Sequence, residues 1–543
     1  MCQRRSPLSE STSAPGYGPP GGGVVWWGLR RWTFGGYVQD DIKVTRKLTL
    51  NLGLRYEYAS VPWEVGNRFA VPADSGSLYG DFVVKPQPLW PPDYLSGDFA
   101  PRFGFAAQLT KNTVLRGGFG MFTNMIPTVY PDQALVNFPV ASLNYLSNPV
   151  YSLTPLPVYL PALTSISGQP VVANGNSKTV PANTPVNLAP YAAILGPLTG
   201  DYPSDRLRNG YTMSDNFTLE HEFPGGISAQ ASYVGSIGVS LYNSEYPNSF
   251  DNAEPQYTPY ANITPGLGEI EMIYNGGHSS YNALQLQARK ISDAHGLQFQ
   301  ANYTYAKTLT DVDDVWQAAE EGGGVTQNNP QCIKCEYGRA GYSIAQVFNA
   351  NFEYDIPIAH WQTFSHIPQR LTHGWKMLGI FTAQSGSPFT VVGPYGTLQY
   401  GFDDWNGVGA RPFLLKQATL NPGGGTQFFS SAVIGNNFGL GDGYFGLPTV
   451  TSPVDGSAVL PTPGNLGRNT FTGPGLWNLN FSVIKETKIT ESKTLQLRAE
   501  FFNIVNAVTF GYPGNYLGSQ NFGISTGTAT AEREIQFGLR FIF

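Results

Sequence analysis

The feature that most constrains this chain is a period of two that returns from end to end. In "KTLQLRAEFFNIVN" (493–506), Leu495, Leu497, Ala499 and Phe501 fall on one face of an extended strand. Gln496, Arg498, Glu500 and Phe502 fall on the other. "KLTLNLGLRYEYAS" (47–60) sets Leu48, Leu50, Leu52, Leu54, Tyr56 and Tyr58 against Thr49, Asn51, Gly53, Arg55 and Glu57. "YNALQLQARK" (281–290), "GLQFQANYTYAKT" (296–308), "LWNLNFSVIKET" (476–487) and "REIQFGLRFIF" (533–543) repeat the pattern. Such alternation marks strands with one apolar and one polar face.

About thirteen such segments are expected, near 31–45, 47–60, 99–110, 113–125, 206–222, 226–243, 268–291, 296–311, 343–357, 371–390, 473–488, 493–508 and 530–543. Several exceed the usual five or six residues. Their connections alternate: a turn around Arg46, then a long loop; "KN" (111–112), then a very long one; "PGG" (224–226), "SDAHG" (292–296) and "TES" (490–492) likewise precede long loops, and a moderate link covers 358–370. In an antiparallel meander every second connection lies on the same side. All short turns therefore fall on one side and all long loops on the other, the asymmetry of an outer-membrane barrel. A soluble sandwich also alternates, but it has no need of short–long connections. The apolar face is expected to meet outer-membrane lipid and the polar face a water-filled or plugged lumen. Trp32, Tyr56, Tyr58, Tyr303, Tyr305 and Trp477 suit interfacial girdles.

Composition agrees. Charged residues are 13% of the 543, and 63 Gly, 30 Tyr and 33 Phe favour strands and turns over long helices. A net charge of −6 gives no electrostatic case for nucleic acid. No apolar run of membrane-helix length occurs, and the N-terminus carries no convincing signal peptide.

Several stretches carry a family resemblance: "FGGYVQDDIKVTRKLTLNLGLRYEY" (34–58), "APRFGFAAQLTKNTVLRGGFGMF" (100–122), "SYNALQLQARKISDAHGLQFQANYTYAKTLTD" (280–311), "QSGSPFT" (384–390), "GNLGRNTFTGPGLWNLNFSVIKETKITESKTLQLRAEFFNIVNAVTFGYPGN" (464–515) and "FGISTGTATAEREIQFGLRFIF" (522–543). Together they resemble the C-terminal barrel of TonB-dependent receptors, in the branch that often carries a carboxypeptidase-regulatory-like domain near its N-terminus. The resemblance implies an all-β, transmembrane antiparallel barrel, with 22 strands, an internal plug and a TonB box in a complete member. It implies that Phe541 and Phe543 form the C-terminal signal read by the barrel-assembly machinery. It implies capture of an oligosaccharide, peptide or metal chelate, with the first two favoured. Thirteen strands fall short of 22, so the expectation is a receptor fragment: an open or partly closed wall over 31–543, preceded by a disordered or unrelated segment, 1–30. The TonB system would then be reached only through a plug outside this chain. "EYGRAGYSIAQVFNANFEYDIP" (336–357) departs from the family's more polar strand start. An outer-membrane structural or adhesion protein without transport is the alternative.

Candidate chemistry is sparse. Cys332 and Cys335 in "CIKC" have the spacing of half a metal site, but a small loop disulfide is the plainer reading. Asp311, Asp313 and Asp314 form a weak Ca²⁺ candidate, lacking the Gly and distal Glu of an EF-hand loop. Arg55, Arg289, Arg498 and Glu500 are lumen-facing candidates, with mutual pairing as the plainer role. Loop tyrosines (Tyr151, Tyr159, Tyr191, Tyr202, Tyr257, Tyr260) suit stacking on sugars. His221 and Glu222 complete no HExxH, and no nucleophile elbow, P-loop or cofactor motif is present, so neither an enzyme nor a cofactor is expected.

Overall fold

The structure is a computed structural model. It describes residues 17–18, 28–65, 69–72, 82–85, 89–90, 98–127, 142–143, 185–186, 198–204, 206–245, 267–291, 296–312, 333–358, 363, 366–393, 411–421, 425–447 and 464–543.

Among the described residues, thirteen strands follow one another in strict sequence order along one sheet, with two short strands, Leu198–Pro203 and Gly338–Arg339, paired onto it off this path. The thirteen are β1 (Thr33–Lys43), β2 (Leu48–Ala59), β3 (Asp98–Gln108), β4 (Thr113–Asn124), β5 (Gly210–Phe223), β6 (Ile227–Glu245), β7 (Leu267–Lys290), β8 (Leu297–Thr310), β9 (Gln346–Ile356), β10 (Trp375–Gln384), β11 (Leu476–Lys488), β12 (Thr494–Phe502) and β13 (Glu534–Ile542). Each pairs antiparallel with the next. Among the described residues, β1 pairs only with β2 and β13 only with β12, so the wall is open. No described helix is long and apolar enough to cross a membrane, which says nothing of strands.

The thirteen expected segments are all present, with shifted ends. The expected 493–508 stops at Phe502 because Asn503 turns the chain at φ 47°. Its amide donates to Asn480 Oδ1 at 2.9 Å, and its side-chain Nδ2 donates to the carbonyls of Ala507 and Ala531. The expected 371–390 is Trp375–Gln384, since Gln369–Thr372 is a helical turn that closes the link from β9. The short connections carry the sequence signals expected of them: Gly225 and Gly226, at φ 87° and 73°, make the turn from β5 to β6, a conformation that L side chains rarely adopt.

Register shows how the faces are built. One row of direct partners runs Leu48–Ala107–Leu115–Leu219–Ala231–Leu286–Tyr303–Phe348–Ala383–Trp477, from β2 to β11, and every member is apolar or aromatic. The adjacent row on the opposite face runs Glu220–Gln230–Gln287–Asn302–Asn349–Thr382–Asn478, every member polar. Leu48 opens β2 at the short-turn end, whereas Trp477 lies at the long-loop end of β11. The row thus climbs the wall, as tilted strands require.

The apolar face is bare: Phe99, Phe217, Leu284, Tyr305, Leu497 and Phe537 all stand exposed on it, Phe537 at 78%. A soluble sheet hides this face. Here the buried hydrophobic residues lie mainly in the long connections, around Phe389, Val391, Phe429, Val433, Leu517 and Phe522. Of the girdle residues, Tyr56, Tyr58, Tyr305 and Trp477 fall toward the long-loop ends of their strands and Trp32 just precedes β1 on that side, whereas Tyr303 lies at mid-strand.

Candidate functional site

Two regions have the makings of a site: the polar face of the wall, and a platform built by the long connections.

On the polar face several of the strand charges are paired with close neighbours. Arg55 donates to Glu57 through Nε at 2.8 Å and Nη2 at 2.6 Å. Glu220 sits between Arg116 at 3.4 Å and Arg289 at 3.7 Å, and Arg289 Nε also donates to Ser228 Oγ at 2.9 Å. Lys376 bridges Glu353 at 2.9 Å and Asp355 at 3.5 Å. Arg498 lies 3.5 Å from Glu500. Between these pairs run amide and hydroxyl contacts, among them Gln287 Nε2 to Asn302 Oδ1 and Gln230 Nε2 to Ser232 Oγ, both at 2.9 Å. The four residues singled out from sequence thus share one face, but in three separate pairs rather than one cluster. A wall of this kind presents fixed dipoles and compensated charges to whatever lies against it.

The platform joins the connection 385–475 (β10 to β11) with 503–533 (β12 to β13). Phe389, Phe429, Phe445, Phe471 and Phe522 pack together, Phe429 stacking on Phe522 with centroids 5.4 Å apart and meeting Phe471 edge-on at 5.1 Å. Backbone bonds knit the two loops: Phe428 to Gly523 (2.8 Å), Ser525 to Thr426 (2.7 Å), Leu517 to Val392 (3.0 Å). An open depression of about 650 Å³ lies beside this core, lined by Leu414, Leu415, Lys416, Gln417, Ala418, Leu420 and Thr470–Thr472. Lys416 Nζ lies 5.0 Å from the centroid of the Tyr444 ring, placing a cation in a lining of mixed apolar and uncharged polar side chains.

A third connection, 311–345 (β8 to β9), is pinned to the platform by arginines. Arg339 spans Asn469–Thr472 with four hydrogen bonds, three to carbonyls and one to Thr472 Oγ1. Arg411 donates to Glu336 Oε1 at 2.6 Å, with the two side chains 4% and 0% exposed. Arg468 donates to the Thr310 carbonyl. Burial pulls the guanidinium pKa of Arg411 down, and the Glu336 carboxylate opposes that. Burial also lowers that of Arg339.

Asp311 is buried at the base of this connection. Its carboxylate accepts the His278 backbone N–H at 2.5 Å and lies 3.4 Å from that ring's Nδ1. Asp313, Asp314 and Cys332 lie outside the described residues, as do the loop tyrosines apart from the backbone of Tyr202. Cys335 is disulfide-bonded. No group of three metal-ligating side chains occurs among the described residues. Phe541 and Phe543, 6.0 Å apart between centroids, end the open edge strand.

Sequence reasoning missed the platform. Its phenylalanines follow no period, and only their density in "QFFS", "YFG", "TFTG" and "NFGIS" signals a core.

No curated protein matches the sequence. Similar solved structures include the outer membrane transporter YddB from Escherichia coli, at 10% identity and TM-score 0.43, over 94% of this chain and 45% of that one. The ferripyoverdine receptor of the outer membrane of Pseudomonas aeruginosa is similar at 10% identity and TM-score 0.42, over 96% and 39%. The FrpB iron transporter from Neisseria meningitidis is similar at 11% identity and TM-score 0.39, over 95% and 45%. The chain spans less than half the length of each of these three. Residues 20–536 match the family described as outer membrane beta barrel domain, nearly the whole sequence. With its bare apolar face, polar opposite face and one-sided long connections, the chain belongs to that outer-membrane β-barrel family.

Proposed function

We propose that this chain is the barrel wall of a TonB-dependent receptor, in which outer loops capture a ligand and the polar lumen passes it inward. The observation that carries this reading is the fused platform on the long-connection side, standing above a face of compensated charges. A merely structural barrel has no need of either. Arg55, Arg289, Arg498 and Glu500 then line the lumen, and Phe541 and Phe543 engage the assembly machinery. The ligand class is an oligosaccharide, a peptide or a metal chelate. Energised uptake needs a plug and a TonB box, so the chain works as part of a longer receptor.

The test is to map the reading frame upstream of Met1 in the source cells and to sequence the N-terminus of the mature outer-membrane protein. A frame running on into a plug and TonB-box-like segment is the expected result. A mature protein starting at Met1 overturns energised uptake by this polypeptide.

A further inference from the structure

The link from β9 to β10 folds back against the apolar face at the short-turn rim. Trp375 opens β10 and is the direct partner of Lys485 on β11, in a row completed by Ile356, Leu497 and Leu539. Lys485 thus puts a cation on the lipid side, yet it is only 7% exposed. Its ammonium donates to the carbonyls of Arg370 at 2.9 Å, His373 at 2.8 Å and Glu486 at 2.8 Å, and to Thr487 Oγ1 at 2.9 Å. It also lies 5.8 Å from the centroid of the Trp375 ring, whose indole N–H donates to the Leu371 carbonyl at 2.7 Å. The wall itself therefore satisfies the closing carbonyls of the helical turn Gln369–Thr372, and those carbonyls satisfy the ammonium. A turn held in this way can lie beside lipid, where water is not at hand to pair either group.

The docked turn presents Arg370, which is exposed, beside Leu371, which is 61% exposed. The stretch "PIAHWQTFSHIPQRLTHGWK" (357–376) contains arginine, lysine and histidine but no acid. Neighbouring strand carboxylates are engaged elsewhere: Asp355 lies 3.5 Å from Lys376, and Glu486 accepts from Gln496 Nε2 at 2.7 Å, both on the polar face. Among the described residues no acid pairs with Arg370. A free cation, an exposed leucine and a tryptophan at the rim of a lipid-facing wall form an interfacial set, one end apolar and the other charged. We propose that this turn is a lipid-headgroup site: Arg370 holds the unneutralised phosphate of an anionic phospholipid in the leaflet on the short-turn side, while Lys485 and Trp375 fix the turn that presents it. Charge complementarity selects the occupant, since the site offers a cation with no carboxylate to oppose a phosphate. The inference needs only this rim of the wall and stands whether or not the chain takes part in transport.

The experiment uses the full chain extracted in maltoside micelles. Mass spectrometry of the intact protein measures its affinity for added phosphatidylglycerol and phosphatidylcholine. Phosphatidylglycerol is expected to bind about fivefold more tightly, the discrimination that one basic side chain supplies at an anionic surface. Arg370→Gln is expected to erase that preference, and Arg370→Lys, which keeps the charge, to retain it. Arg46→Gln alters an exposed arginine in the turn from β1 to β2 and should leave the preference unchanged. Arg370 is exposed, so its variants are expected to assemble, which heat-modifiable migration checks. Equal affinity of the wild-type protein for the two lipids overturns the proposal. So does a preference that persists in Arg370→Gln, that is lost in Arg370→Lys, or that falls as far in Arg46→Gln. Displacement of the lipid by excess inorganic phosphate would mark a free-anion site and overturns the lipid assignment as well.

Discussion

Arg339 and Asn469, 130 residues apart, clasp each other reciprocally: Arg339 Nε donates to the Asn469 carbonyl and Asn469 Nδ2 donates to the Arg339 carbonyl, both at 2.8 Å. The remaining guanidinium nitrogens reach Thr470, Phe471 and Thr472. A lysine offers no planar fork and cannot reproduce that spread. Arg339→Lys is expected to weaken the clasp by about 1.5–3 kcal/mol, the range for hydrogen bonds to a charged group. Hydrogen exchange over 466–473 should rise on that scale. Unchanged protection would show that the aromatic core alone holds this turn.

Leu286 and Gln287 test the assignment of the faces, since adjacent residues of β7 point to opposite sides. Leu286→Arg puts a charge on the lipid side at a cost of about 2–4 kcal/mol near the bilayer midplane. Gln287→Arg adds a charge to the polar side and should cost under about 1 kcal/mol. Heat-modifiable gel migration after refolding into vesicles reads both. Equal tolerance would mean that the apolar row does not meet lipid.

Phe429 lies fully buried among the loop rings. Phe429→Ala should destabilise the platform by about 3–5 kcal/mol, typical of a large-to-small change in a packed core. The strand ladder should be untouched. Limited proteolysis should therefore cut the connections 385–475 and 503–533 quickly while the barrel band stays heat-modifiable. Loss of both would show that the wall depends on its loops.

Glu220 makes the contrasting case. It is partly exposed, and its two arginine partners are about half exposed. Glu220→Gln is expected to change stability by no more than about 1 kcal/mol, the scale of exposed ion pairs. Its effect should instead appear in ion conductance across planar bilayers if the polar face lines a pore. A conductance equal to wild type would place Glu220 away from any permeation path.

The wall was legible because backbone geometry writes a period of two into every strand, and the lipid side repeats it in Leu48, Leu286 or Phe537 alike. Pairings such as Arg116 with Glu220 were not, because they depend on a register that brings residues about a hundred positions apart side by side. The platform was hidden for a different reason. Phe389 and Phe471 face each other in two-residue strands and Phe522 lies in a turn, segments too short for burial to leave a periodic trace. "LGRNTF" (466–471) carries part of the resemblance, and its work is mechanical: Arg468 ties its connection to the end of β8, and Asn469 ties it to the β8–β9 connection.

The strand count has a consequence for closure. The thirteen main strands among the described residues are an odd number, so β1 and β13 run the same way, both toward the short turns. Bringing these two rims together would make a parallel seam. Two copies inserted with the same orientation would meet in parallel as well, whichever rims touched. A cylinder that is antiparallel all the way round therefore takes an odd number of added strands, the first and last of them running outward. Parity alone, without any reference to length, thus states the direction of the strand that each rim accepts.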